Sequence, residues 1–208
     1  MVVPVDLVAF VLASAIALVP GPDILYVVSR GMAQGRQAAL VSAVALNTGA
    51  AIHAGLAALG LSAIIHQSEA LFAAIKYVGA AYLVYLAISM LLDRKSSGAV
   101  RFMERSRLHR IFVQGVATDL LNPKVYLFFL AFLPQFVDPQ AGSTGTQILA
   151  LGLVFVLIIL PIDLTIAWLS GSLGNLLLLR PRVATALRWC SAGVLLGLAG
   201  RVARSAAN

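Results

Sequence analysis

Proline breaks interrupt two long apolar stretches of the sequence, and each break is followed directly by a charged residue. Proline cannot continue a hydrogen-bonded helix, but it suits the first position of a new one when Gly or Asn precedes it. We therefore predict a new half-helix at Pro22, with Asp23 just inside it, and another at Pro123, with Lys124 just inside it. If these stretches cross a bilayer, opposite charges beside two interrupted helices indicate the midplane site of a transporter.

A half-helix that begins inside the membrane leaves its first N–H groups unpaired and exposes the positive end of its dipole, which suits a carboxylate or another anionic group. Either break alone could be only a proline kink that neighbouring helices accommodate. Two breaks, each with a charge attached, favour a binding site. The predicted substrate-binding residues are those of the breaks and one polar residue of a neighbouring apolar stretch: Pro20, Gly21, Pro22, Asp23, Asn47, Asn122, Pro123 and Lys124.

The charges of Asp23 and Lys124 need partners or water, because a lone charge at the bilayer centre costs on the order of 2.5–3.5 kcal/mol. Two interpretations of the pair stay open. In the first, the residues form a static ion pair that ties two parts of the chain together. In the second, the pair opens to bind an amino acid, with Lys124 taking the carboxylate and Asp23 the ammonium group.

Three further polar residues within apolar stretches are candidates for carrying a proton. Asp119 precedes the second break, and Asp163 follows Pro161 in an otherwise apolar run. Either could be protonated if it is buried, because burial disfavours the charged form of a carboxylate, and Asp163 is the better candidate. His53 is the third, although a single histidine in such a stretch is more often a packing residue.

The composition requires a membrane. Of the 208 residues, 61% are hydrophobic and 11% are charged, against about 25% charged residues in a soluble domain, and the mean hydropathy is +0.96. Six continuous stretches reach the roughly 20 apolar residues that a spanning helix needs, which favours helices over a barrel. They lie at about 5–28, 38–65, 70–92, 111–137, 147–173 and 183–203.

The net charge of +7 is carried by loops, and it forms no basic face of the kind that would indicate nucleic acid. Arg30 and Arg36 follow the first span, a basic link at 93–110 follows the third, and further arginines lie between the fifth and sixth. By the positive-inside rule these loops are cytoplasmic, so both termini are predicted to be extracytoplasmic.

The two halves of the sequence resemble each other. Residues 76–87 of the third span align with 188–199 of the sixth, and placing Pro22 on Pro123 also places Asp23 on Lys124. Three spans per half force the second half to enter the membrane from the opposite side. We therefore predict an all-α inverted 3+3 repeat with broken helices 1 and 4: a first repeat at 1–92, the cytoplasmic link at 93–110 and a second repeat at 111–208.

Sequence motifs for other functions are missing. Without a Walker A sequence, ATP is not expected to be the energy source, and no HExxH, GxSxG or Cys/His cluster indicates an enzyme or a cofactor. The single cysteine, Cys190, excludes an intrachain disulfide. Export of a metal cation by the same architecture remains an alternative, although it would need several convergent carboxylate, His or Cys ligands. A non-transport membrane protein is a weaker one, because it would not need related breaks.

The breaks resemble those of the LysE/RhtB family of bacterial amino-acid exporters, which carry Pro-Gly-Pro in the first span and Asn-Pro-Lys in the fourth. The similarity extends over residues 120–136 and 79–83. It implies a multi-pass exporter of amino acids or close analogues in the bacterial inner membrane, usually considered proton-driven, with a homodimer as one expected assembly. The predicted function is therefore proton-coupled amino-acid export by alternating access.

Two positions of the second and fourth spans depart from the family pattern. Ala45 stands where a second glycine, four residues before Gly49, is common, and Asp119 stands where an amide is more usual. The first departure bears on packing, because the second span also carries small residues at four-residue spacing that let another helix approach closely. The second bears on substrate charge or proton coupling.

Overall fold

The computed structural model describes residues 21–67, 69–92 and 105–170, with isolated positions between 10 and 14 and between 185 and 200. Pro20, more than half of the predicted first span, 10 of the 21 residues of the predicted sixth span and residues 93–104 of the basic link lie outside the described residues.

The described residues form helices and connecting turns. A π-helical segment at Phe128–Phe132 and a 3-10 turn at Leu133–Phe136 directly follow the short helix Pro123–Leu127. A second 3-10 turn at Pro139–Ala141 precedes the long helix Thr144–Trp168. The helices are α1 (Pro22–Gln34), α2 (Arg36–Gln67), α3 (Glu69–Leu92), α4 (Leu108–Leu120), α5 (Pro123–Leu127) and α6 (Thr144–Trp168).

Both predicted helix starts are confirmed. Helix α1 begins at Pro22, after Gly21 in an extended conformation. Helix α4 ends at Leu120 and α5 begins at Pro123, and the chain bends by 47° between them. The cause is local in both cases, because proline supplies no N–H to a preceding turn and its fixed φ suits the first position of a helix.

Two of the described helices are long and apolar enough to cross a membrane: Arg36–Gly60 of α2, and α6 with a mean hydropathy of 2.6 in its most apolar window. Leu108–Leu120 and Pro123–Phe136 would form a third, broken span. These segments coincide with the predicted second, fifth and fourth spans. The outer face of α6 is apolar as well, with Leu157 68% exposed, as expected for a helix that contacts lipid.

Helix α2 lies at the centre of the described bundle, where it packs most extensively against α6 and α4 and also against α1. Small residues allow this close approach. A Cβ atom placed on Gly115 of α4 would lie 2.6 Å from the Cβ of Ala45, and one placed on Gly152 of α6 would lie 2.5 Å from that of Ala54. The glycine that Ala45 replaces is thus compensated by Gly115 in the facing helix.

The prediction that Arg30 lies in a loop after the first span is wrong. Helix α1 continues to Gln34, and Arg30 is only 4% exposed. Its Nη2 donates to Oε1 of Gln114 in α4 at 2.6 Å, and its Nη1 donates to Oε1 of Gln34 at 3.1 Å. Hydropathy alone ends a span at the first arginine, whereas here polar partners on a neighbouring helix let the helix continue.

Candidate functional site

The starts of α1 and α5 meet, and the charges that follow the two breaks form an ion pair. The Nζ atom of Lys124 donates to Oδ2 of Asp23 at 2.5 Å, and their side chains are only 7% and 14% exposed. Asp23 is the second residue of α1, where the positive end of the helix dipole stabilises a carboxylate. The structure therefore joins two charges that are 101 residues apart in sequence.

Gly21 leaves the space that this ion pair occupies. A Cβ atom at this position would lie 2.7 Å from Oδ1 of Asp23 and 3.4 Å from Nζ of Lys124. A side chain at position 21 would therefore displace the carboxylate.

Asn122 and the two break prolines determine where the helices that carry the charged residues begin. Oδ1 of Asn122 accepts a hydrogen bond from the backbone N–H of Lys124 at 3.1 Å, so this side chain caps the start of α5. Pro22 and Pro123 hold the first positions of their helices. None of these three lines the cavity described below, so their observed contribution is to fix where the two charges lie.

Asp163 in α6 faces Asn47 in the central helix. Nδ2 of Asn47 donates to Oδ2 of Asp163 at 2.7 Å and to the backbone carbonyl of Ala43 at 3.0 Å. Because a carboxamide both donates and accepts, Asn47 can hydrogen-bond Asp163 in either protonation state.

Asp119 lies near the end of α4 and is packed against Gly49 of α2. It is 3% exposed, and a Cβ atom on Gly49 would lie 2.6 Å from the Cβ of Asp119 and 2.7 Å from its Oδ2. Its Oδ2 has no hydrogen-bond partner among the described residues. Gly49 thus makes room for the acid that departs from the family pattern.

His53 occupies a packing position. Its ring stacks on Phe129 with centroids 5.9 Å apart, and its Nε2 lies 3.3 Å from the backbone oxygen of Asp119. It is absent from the described residues that line the cavity, which favours the packing interpretation over a role as proton carrier.

A cavity of about 30 Å³ lies between the helices, with room for about two water molecules. The sequence had identified all of its polar lining residues but had not identified its apolar ones as a group. Nothing in the sequence distinguished Phe155 or Ile159 from the many other apolar residues of their helix. The lining residues are Asp23, Asn47, Asp119, Lys124 and Asp163, together with Leu46, Ala50, Val125, Phe128, Phe155 and Ile159.

The cavity lining has an imbalance of charge. Three carboxylates and one ammonium group are contributed by the described residues, so the lining would carry a net charge of −2 if all were ionised. Uncompensated charge in a buried site is costly, and the balance must come from protons or from positive groups of a ligand. Oδ1 of Asp23 and Oδ2 of Asp119 also lack hydrogen-bond partners within the described part of the chain.

The described residues do not favour a metal site. No three His, Cys, Asp or Glu side chains among them are grouped so that they could hold a metal ion. The first alternative from the sequence, export of a metal cation, has no supporting ligand cluster in this part of the chain.

Comparison with known proteins identifies a family. The family described as LysE type translocator matches residues 14–205. A leucine efflux protein of Enterobacter sp. is 36% identical over 146 residues, which cover 69% of this chain and 68% of that protein. An uncharacterized membrane protein of Pseudomonas aeruginosa is 32% identical over 148 residues, with 69% and 68% covered. Another, from Vibrio cholerae, is 33% identical over 151 residues, with 72% and 73% covered. No solved structure matches significantly.

Proposed function

Because the chain belongs to the LysE type translocator family, it is a membrane translocator and not an enzyme, and we propose that it is a secondary exporter of amino acids or close analogues. The name of one relative, a leucine efflux protein, supports this type of substrate. The observation that carries the proposal is the ion pair between Asp23 and Lys124, which lines a cavity where the starts of α1 and α5 meet.

Binding of a zwitterion would exchange one ion pair for two. The substrate carboxylate forms an ion pair with Lys124, and the substrate ammonium group forms one with Asp23. Because a zwitterion adds no net charge, neither protein charge is left without a partner, which would otherwise be strongly destabilising. A cavity of about 30 Å³ is too small for an amino acid, so the helices must separate before the substrate can enter.

The separation follows from alternating access by an inverted repeat, with 1–92 and 111–208 as its two halves and the basic link at 93–110 in the cytoplasm. The site supports this division, because Asp23 belongs to the first half and Lys124 to the second. Rocking of one half against the other would expose the site to each side of the inner membrane in turn. A homodimer remains the expected assembly from the family resemblance.

Protons are the proposed coupling ion, with Asp163 as the principal carrier and Asp119 as a second. Both carboxyl groups are part of a cavity lining whose negative charges outnumber its positive charges. A proton on one of them removes part of this imbalance in one conformation and can be released in the other.

The test uses purified protein in proteoliposomes, with exchange of labelled amino acids across the membrane. Asp23→Asn and Lys124→Met each leave a buried charge without its partner, a change that costs about 2–5 kcal/mol, so exchange should fall at least about thirtyfold. Asp138→Asn is the matched control, since Asp138 lies outside the cavity and Asn can replace its cap on Gln140.

The double exchange Asp23→Lys with Lys124→Asp separates binding from a structural role. A structural pair keeps its attraction when its charges are reversed. A binding pair does not keep its function, because the substrate would have to turn round and move its side chain away from its usual place. We expect a folded, membrane-inserted and inactive protein; wild-type exchange by this variant would leave only a structural ion pair.

A further inference from the structure

Along α6, the residues that line the cavity change from polar to apolar. Helix α6 contributes Phe155, Ile159 and Asp163, which lie at four-residue spacing and therefore on one face. The carboxylate stands at one end of this row, and the aromatic ring stands two turns away. The same row thus passes from the charged part of the site to an apolar part.

The other helices follow the same order. In α2, Asn47 lies next to Asp163, whereas Ala54, two turns further on, lies against Gly152 of α6. Helix α2 therefore runs antiparallel to α6, and its cavity residues also pass from the polar Asn47 to the apolar Ala50 in the same direction. From Lys124, the chain of α5 leads to Phe128, whose ring lies 4.5 Å from that of Phe155.

We define the apolar end of the cavity by Ala50, Phe128, Phe155 and Ile159, and its aromatic rings pack on further rings behind them. The ring of Phe128 stacks on Phe132 at 5.3 Å, and that of Phe155 lies edge to face with Phe129 at 5.6 Å. Both Phe128 and Phe155 are almost completely buried. This end therefore offers a substrate side chain apolar contacts, and the packed rings limit its length.

We propose that the apolar end is the side-chain subsite of the transporter and that it selects amino acids with medium-sized aliphatic side chains, with Phe155 setting the size limit. This inference rests on the proposed function, because Lys124 and Asp23 must hold the carboxylate and the ammonium group. A bound amino acid then has its Cα at the polar end and its side chain directed toward Ile159 and Phe155. An acidic side chain directed there would be desolvated without a partner, whereas a basic one could be paired by Asp119, one of the described lining residues.

The competing possibility is a basic side chain that reaches Asp119, which also lines the cavity. Asp119 is packed against Gly49, and its backbone oxygen lies near His53, so it borders the cavity from the α4 side. The two possibilities predict opposite substrate orders and respond to different substitutions, so one experiment separates them.

The experiment measures competition by unlabelled amino acids during exchange in proteoliposomes of the full chain. We expect leucine, valine and methionine to compete at least about tenfold better than lysine or glutamate, because an apolar pocket desolvates a charged side chain without fully pairing it. Phe155→Leu should admit phenylalanine and lower the preference for leucine over phenylalanine by about tenfold. Leu157→Ala is the control, because Leu157 lies on the outer face of the same helix and should leave the order unchanged.

Two outcomes would overturn the subsite, and both differ from failure of the proposed function. A preference for lysine that Asp119→Asn abolishes would assign the side chain to Asp119. An unchanged substrate order in folded Phe155→Leu protein would remove Phe155 from selection, and Ile159→Ala takes its place in the test if Phe155→Leu does not fold. Exchange of no amino acid at all by the wild-type protein would instead contradict the export function itself.

Discussion

At the scale of single residues, the site is a set of buried polar groups that are positioned by hydrogen bonds and by glycines that leave space for them. Gly21 and Gly49 make room for Asp23 and Asp119. Asn122 fixes the start of the helix that carries Lys124. Asn47 donates a hydrogen bond to the third carboxylate, that of Asp163. A buried polar atom that lacks a partner costs about 1–3 kcal/mol. Such costs are tolerated where a proton or a ligand supplies the missing partner during function.

Asp163→Asn should separate proton coupling from substrate binding. Asparagine keeps a hydrogen-bonding group opposite Asn47 but cannot release a proton, so we expect near-normal exchange of labelled substrate and loss of uphill export driven by a pH gradient. The measurement compares both activities in the same proteoliposomes, with Asp138→Asn as the matched control. Full gradient-driven export by Asp163→Asn would exclude this carboxylate from the coupling mechanism.

At the scale of helices, a polar seam joins α1 to α4 beyond the ion pair. Three α1 side chains at four-residue spacing, Tyr26, Arg30 and Gln34, form the seam. The hydroxyl of Tyr26 donates to the backbone carbonyl of Ile111 at 2.6 Å. Gln34 makes two hydrogen bonds of 2.9 Å with the backbone of Ser106. The seam holds α1 against α4 and the residues just before it, so the proposed rocking of 1–92 against 111–208 would have to break it.

A covalent link between Gln34 of α1 and Ser106, just before α4, should therefore stop transport. In a background of Cys190→Ser, Gln34→Cys with Ser106→Cys places two thiols on neighbouring segments that a short bifunctional thiol reagent can bridge. We expect the bridged protein to lose at least about nine-tenths of its exchange activity, because the halves can no longer separate on this side. Each single-cysteine variant treated with the same reagent is the control, and undiminished exchange by the bridged protein would show that the seam stays closed during transport.

At the scale of the whole molecule, basic residues from separate parts of the sequence gather at one end of the bundle. Helix α1 ends, and α2 begins, beside Gly35, and the guanidinium of Arg36 lies over the ring of Trp168 at the end of α6, 3.7 Å from its centroid. The start of α4, with Arg107 and Arg110, reaches the same end through the contact between Gln34 and Ser106. Clustered arginines are typical of the cytoplasmic side of a membrane protein, so we propose that this end is cytoplasmic.

Reporter fusions test this orientation. A phosphatase that is active only in the periplasm should give low activity when it is inserted at 96–100 and high activity when it is fused after residue 208. A reporter that fluoresces only in the cytoplasm should give the reverse pattern at both places. High phosphatase activity at 96–100 would show the opposite orientation and place the polar seam on the other side of the membrane.

Features that local chemistry controls could be predicted from the order of the amino acids alone. Proline and the residue before it act within one turn of helix, so Pro22 and Pro123 located both helix starts. Long apolar runs indicated membrane helices because no soluble surface can be built from them, and two of these runs, with a third that is broken, recur as helices in the described structure. The rarity of charge in such runs singled out Asp23, Lys124, Asp119 and Asp163, and the motifs identified the family.

Helix packing, which no local pattern encodes, determines which of the many apolar residues share the cavity and which helices face each other. Phe155 lines the site and Leu157 faces outward, although both are large apolar residues of the same helix. That difference depends on the rotation of α6 against α2, which an almost uniformly apolar helix does not encode in its own pattern. Arg30 is buried for the same kind of reason, since its partner Gln114 is 84 residues away in sequence and is brought near only when the helices pack.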